Sequence, residues 1–234
     1  MPRFAYREVV AKTTPASNWS KFVAHPVADA LLWLLANFTN VHPTLVTVTA
    51  NAIGGGAAVA FLRGDRVGFL VGGALFYVAF ALDAIDGALA RLTGKTSLTG
   101  AWLDTIADFL RSQLCAACLT IGTYRATQDV RVFYLGFGLA AVIAFYYYLA
   151  EVSQKLTGQR PAQLARSQQG LSQWLQQRGI VPSPFGLPDL EGVCFVLFPI
   201  LNMPLLGMWI ACSLGAATRI LVSLVVLRQL HRAS

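Results

Sequence analysis

Charge is scarce in this sequence. Only 12% of its 234 residues are Asp, Glu, Lys or Arg, and the acids number eleven, against 56% hydrophobic residues. The mean hydropathy of +0.57 is higher than an ordinary soluble domain carries. Several apolar stretches approach the roughly 20 residues that cross about 30 Å of hydrocarbon as helix. An all-α integral membrane protein is therefore expected, with no room for a separate soluble domain. Cysteine is scarce too. Cys115, Cys118, Cys194 and Cys212 all fall in apolar stretches, where neither a disulfide framework nor a zinc site is the default, and Cys115-x-x-Cys118 reads as two small residues on a membrane-helix face. No basic run interleaved with aromatics accompanies the net charge of +7, so nucleic acid is not an expected partner. After Arg3, Arg7 and Lys12 there is no short apolar core with a small-residue cleavage site, so a cleaved signal peptide is not expected.

Six transmembrane helices are expected at about 44–62, 67–90, 101–123, 132–150, 190–205 and 207–227. Pro199 and Pro204 disturb the fifth, and the link to the sixth through Asn202 and Pro204 must be tight. Ahead of them, Trp19 to Asn37 carries Phe22, Val23, Val27, Ala30, Leu31 and Leu34 at helical spacing beside Lys21, His25 and Asp29. That pattern suits an N-terminal interfacial amphipathic helix, with a first transmembrane helix as the alternative. Residues 1–43 thus form a cytoplasmic N-terminus with this juxtamembrane helix, and 44–234 the six-helix catalytic domain. With the N-terminus inside, Arg3, Arg7, Lys12, Lys21, Arg91, Lys95, Lys155, Arg160, Arg166, Arg178, Arg228 and Arg232 are cytoplasmic, whereas outer loops hold only Arg63, Arg66, Arg125 and Arg131. This satisfies the positive-inside rule and puts residues 91–100 in the cytoplasm. The Gln-rich interval 151–189 reads as a cytoplasmic loop.

Against this shortage of acids, Asp83, Asp86, Asp104 and Asp108 crowd the facing ends of two apolar helices. An ionised carboxylate in a membrane segment is costly, so such residues face a cavity and have partners. Asp83 and Asp86 are three apart and Asp104 and Asp108 four apart, so each pair shares a helix face. Two facing pairs make a cage for cations. Oxygen ligands without His or Cys favour Mg²⁺, Mn²⁺ or Ca²⁺ over zinc, and an incompletely filled shell leaves room for phosphate oxygens. Gly87 and Gly100, with Ala90, either let a bulky ligand approach the backbone or serve close helix packing. Arg91 either contacts a diphosphate or anchors the cytoplasmic end of its helix.

These residues carry a family resemblance. The run Asp83-Ala-Ile-Asp86-Gly87-Ala-Leu-Ala90-Arg91, then eight residues, then Gly100-Ala-Trp-Leu-Asp104-Thr-Ile-Ala-Asp108, resembles the signature of the CDP-alcohol phosphotransferases (CDP-alcohol phosphatidyltransferases) at each of its eight fixed positions. More loosely, Pro43-Thr44-Leu45-Val46-Thr47 looks like the Pro-Asn-x-x-Thr opening of many members, with Thr44 in place of Asn. The resemblance implies six helices, usually a homodimer, and two Mg²⁺ or Mn²⁺ ions. It also implies Asp83, Asp86 and Asp104 as metal ligands, Asp108 as general base that also touches a metal, and Gly87, Ala90, Arg91 and Gly100 as the CDP site. The implied reaction moves a phosphoalcohol, above all a phosphatidyl group, from a CDP-linked donor to an acceptor hydroxyl, releasing CMP in phospholipid biosynthesis at a bacterial or archaeal cytoplasmic membrane.

Phosphocholine or phosphoethanolamine transfer to diacylglycerol shares the same signature. A prenyltransferase spaces its aspartates differently, and a cation transporter would explain the aspartates but not the Gly, Ala and Arg pattern. A phosphorylated acceptor needs extra cations, and Arg111, Arg125, Arg131, Arg160, Arg166 and Arg219 are candidates. Arg219 stands out because no acid near it in sequence neutralises it inside an apolar helix.

Overall fold

A computed structural model describes residues 4–13, 15–159, 163, 174–175, 177–181 and 185–233. Arg3, Arg160, Arg166 and much of the expected loop 151–189 lie outside the described residues. Every regular element among the described residues is helical. A short helix α1, Tyr6–Val10, is followed by a π-helical turn, Ser20–Ala24, that runs into α2, His25–Phe38. Four long helices come next: α3, Pro43–Phe61; α4, Arg66–Thr93; α5, Leu98–Thr127; and α6, Val132–Thr157. A composite helix α7 joins Leu187–Glu191, a π-helical stretch Gly192–Leu197 and Phe198–Ile200, and α8, Pro204–Ala233, closes the chain.

Four of these helices are long and apolar enough to cross a membrane: α3, α4, α6 and Pro204–His231 of α8. The other two expected spans also fall on helix, for different local reasons. At 30 residues α5 has the length, but Asp104, Asp108, Arg111 and Arg125 make it more polar. The short α7 is interrupted, because Pro199 has no N–H to give and Phe198 N–H bonds instead to Val193 O across the wider π spacing. The link to α8 is tight, as expected: Asn202 takes φ 59° and Met203 N–H reaches back to Phe198 O at 2.8 Å.

Helix ends are set by the sequence. Pro43 begins α3 and Asp65 caps α4 through the Gly68 N–H at 2.6 Å. Gly94, at φ +68°, ends α4 in the left-handed region that a side chain rarely adopts. Three residues later the Ser97 hydroxyl caps α5 through the Gly100 N–H at 3.0 Å. That turn sends α5 back beside α4, but the two helices have little direct packing; α3 packs along both. Close approach of α3 to α5 is possible because Gly122 offers only hydrogen where a Cβ would collide with the Phe61 carbonyl.

The main core is built from Phe61, Phe69, Phe76, Leu119, Leu139, Ile143, Phe195 and Met208, with Phe76 and Phe195 rings 4.9 Å apart. A second cluster seats α1 and α2 on α3 and α4 through Val9, Leu32, Val46, Ile85 and Leu89. On α2 the packed face is Ala28, Asp29, Leu32 and Ala36, while Val27 and Leu34, like Phe22 in the preceding π-helical turn, are exposed. Ala28 and Ala36 on that face leave room for α2 to pack on α4.

Candidate active site

The gap between α4 and α5 holds the four aspartates. Asp83 and Asp86 come from the second half of α4 and Asp104 and Asp108 from the first half of α5, so antiparallel helices present the two pairs to each other. Asp83 and Asp108 lie close together, and so do Asp86 and Asp104, near enough for each pair to interact. Oxygens of Asp83, Asp104 and Asp108 all lie within 4.8 Å of one another. Asp86 stands slightly apart from that trio and accepts a 2.6 Å hydrogen bond from the Thr47 hydroxyl of α3.

Like charges this close are unstable without a proton or a cation between them. Part of the compensation is internal. Arg111, one turn beyond Asp108, is 5% exposed and its Nη1 lies 3.1 Å from both Asp83 Oδ1 and Asp108 Oδ1. Its aliphatic stem runs through the space that a side chain at Gly54 of α3 would fill, and the Phe76 ring lies 5.9 Å from its guanidinium. The far end of the quartet has no such partner: Asp104 Oδ1 is buried and accepts no hydrogen bond among the described residues. Converging hard oxygens, one of them orphaned, fit a divalent cation such as Mg²⁺ or Mn²⁺.

Two cavities reach this quartet from different sides. The first, about 230 Å³, is lined by Asp86, Gly87, Ala90, Arg91, Gly100 and Asp104, together with Thr44, Thr47, Lys95 and Ser97. All four expected nucleotide-site residues are therefore in one place, with two of the aspartates. The opening turn of α5 forms part of the wall, and a helix N-terminus suits phosphate oxygens. Arg91 is exposed there and donates to the Lys12 carbonyl at 3.2 Å. The second cavity, about 200 Å³, is reached by Asp83, Asp108 and Arg111, and its other walls come from α6, α7 and the segment before α2.

Arg219 is elsewhere in the arrangement. It is buried, donates to the Phe185 carbonyl at 2.8 Å and lies 4.7 Å over the Tyr146 ring, which lines the second cavity. Thr47, Ser112 and Glu191 belong to the site although the motif does not include them. Ser112 lies within hydrogen-bonding distance of Glu191 Oε1 and of the Asp108 carbonyl. The signal for Glu191 was in the sequence: a lone acid at the head of the apolar stretch 190–205, costly there for the same reason as the aspartates.

Comparison with known proteins agrees with this geometry. A family model described as CDP-alcohol phosphatidyltransferase matches residues 40–175. The structure resembles that of phosphatidylinositol phosphate synthase of Mycobacterium tuberculosis with CDP-DAG bound, with a TM-score of 0.56 and 18% identity over 87% of this chain and 93% of that one. It resembles the same synthase in complex with manganese and citrate at a TM-score of 0.55 and 17% identity, over 88% of this chain and 89% of that one. At such identity the likeness concerns the fold alone. No curated protein matches the chain in sequence. The family match spans more than half of the chain and contains the whole aspartate motif, and the chain accordingly belongs to the CDP-alcohol phosphatidyltransferase family.

Proposed function

We propose that this enzyme transfers a phosphatidyl group from a CDP-linked lipid to the hydroxyl of a second substrate and releases CMP, as a step of phospholipid synthesis. The observation that carries this reading is the meeting of two cavities at one carboxylate quartet, one lined by the motif residues Gly87, Ala90, Arg91 and Gly100 and the other open to Asp83 and Asp108. In this arrangement the donor's cytidine diphosphate occupies the first cavity, where the missing side chains at Gly87 and Gly100 leave room beside the backbone and Arg91 offers a planar set of donors to phosphate. The acceptor enters the second. Asp83, Asp86, Asp104 and Asp108 would hold two Mg²⁺ or Mn²⁺ ions, which when bound would neutralise the diphosphate and the charge developing on the departing CMP. Asp108 takes the proton of the acceptor hydroxyl, whose oxygen attacks the phosphorus bearing the lipid alcohol; the bond to the CMP phosphate oxygen breaks, and CMP leaves with the electron pair. The related synthase binds CDP-DAG and manganese, which supports a CDP-lipid donor here.

The test is CMP release by the purified protein in lipid nanodiscs. CDP-diacylglycerol with a hydroxyl acceptor should release CMP with Mg²⁺ or Mn²⁺ and none after chelation. CMP release from CDP-choline or CDP-ethanolamine with diacylglycerol would favour the other branch, and cation flux without CMP release would overturn the enzymatic reading.

The same reading has α3 to α8 as six spans of one catalytic domain, residues 44–234, with residues 1–43 and the outward apolar face of α2 at the cytoplasmic interface and the site open to the cytoplasm, in a homodimer. Charge asymmetry supports this orientation. Lys95→Cys should then be labelled by an impermeant maleimide from the cytoplasmic side and Gln128→Cys from the outside, above a background in which three of the four native cysteines are buried. Reversed labelling would place the site on the wrong side for returning CMP to the cytoplasm.

A further inference from the structure

The second cavity contains a charged residue that the reaction as written does not use. Glu191 is 4% exposed and ends the first segment of α7, where the backbone passes into the π-helical stretch Gly192–Leu197; such irregular turns accumulate at functional sites. Its carboxylate is hydrogen-bonded to the Ser112 hydroxyl and close enough to Arg111 for their charges to interact. A buried carboxylate is a poor way to gain stability, since an apolar residue of similar size carries no desolvation cost. Its place in the cavity wall gives it a ligand-facing role instead.

The charges of this wall decide what it can accept. Among the described residues that line the cavity, Arg111 supplies the one guanidinium or ammonium, and its Nη1 is already shared by Asp83 and Asp108. If cations neutralise those two aspartates, Glu191 still cancels Arg111. His25, also in the wall, has its Nδ1 3.1 Å from Asp29 Oδ1. A phosphomonoester brings about −1.5 to −2 of charge at neutral pH and finds, among the described residues of this wall, no cation whose charge is not already met by carboxylates. A neutral polyol, or an alcohol bearing an ammonium group, finds the Glu191 carboxylate and the Ser20 and Tyr147 hydroxyls.

Resting on the transfer reaction above, we infer that Glu191 determines acceptor class: the second cavity takes an unphosphorylated hydroxyl substrate and disfavours a phosphorylated one. With CDP-diacylglycerol as donor and CMP release as readout, glycerol, myo-inositol and L-serine are compared with sn-glycerol 3-phosphate and myo-inositol 1-phosphate, in the wild type and in Glu191→Gln. The best wild-type acceptor should be one of the first three. In Glu191→Gln the ratio of kcat/KM for phosphorylated over unphosphorylated acceptors should rise at least tenfold, with the KM for CDP-diacylglycerol changed less than twofold. A wild-type preference for either phosphorylated acceptor overturns the inference, and so does a ratio that does not move or an equal fall for all acceptors, which marks a structural role. Should Glu191→Gln fail to fold, the wild-type preference still decides. Absence of CMP release with every acceptor would instead count against the transfer reaction itself.

Discussion

Asp108→Asn is expected to lower kcat for CMP release by about a thousandfold, close to 4 kcal/mol of lost transition-state stabilisation, within the range of a general base. The amide keeps the shape of the carboxylate and cannot take the acceptor's proton. Because Asp108 lines the second cavity and not the one assigned to the nucleotide, the KM for the CDP donor should change less than about threefold, since what is lost is an interaction of the transition state. Arg111 retains Asp83 as a partner at 3.1 Å, so the fold should persist. Single-turnover kinetics with a melting curve in the same detergent check both points. A rate within tenfold of wild type would remove Asp108 from the role of base.

Asp104→Asn should act through the cation instead, and with opposite signs on function and on bare stability. Its Oδ1 is buried and accepts no hydrogen bond among the described residues, and its charge bears on both Asp83 and Asp86. Replacing a ligand oxygen by a neutral amide is expected to weaken Mn²⁺ binding about 100-fold or more, at least the loss typical of disturbing a ligand's support, and to make turnover undetectable at ordinary metal concentrations. Removing one of four crowded carboxylates also relieves repulsion, so the metal-free variant should melt at a higher temperature than the metal-free wild type, while the stabilisation on adding Mn²⁺ shrinks. Calorimetric titration and paired melting curves measure the two effects. Unchanged Mn²⁺ affinity would take Asp104 out of the ligand set, and a lower metal-free melting temperature would show that repulsion is not stored there.

Much of the site was legible because the relations that define it are local. Spacings of three and four place Asp83 with Asp86 and Asp104 with Asp108 on common helix faces whatever surrounds them. The penalty for a carboxylate in an apolar segment singles these residues out without any knowledge of their partners. The helix ends follow equally from short-range chemistry at Pro43, Gly94 and Ser97. Glu191 bears the same penalty, but a single acid without a motif does not announce which helix it will meet.

The sequence by itself determined the helices, the apolar segments among them and the two aspartate pairs, since hydrophobic runs, caps and helical periodicity act within a few residues of chain. Only the tertiary structure decided that Ala28, Leu32 and Ala36 form the buried face that seats α2 on the bundle, and that Val27 and Leu34 stay exposed. It also decided that the Arg111 stem threads past Gly54 to bridge Asp83 and Asp108, that Thr47 reaches Asp86, and that Glu191 closes a second cavity through Ser112. Those contacts join residues far apart in the chain, and they depend on which helix faces can approach most closely once every side chain must be packed at the same time.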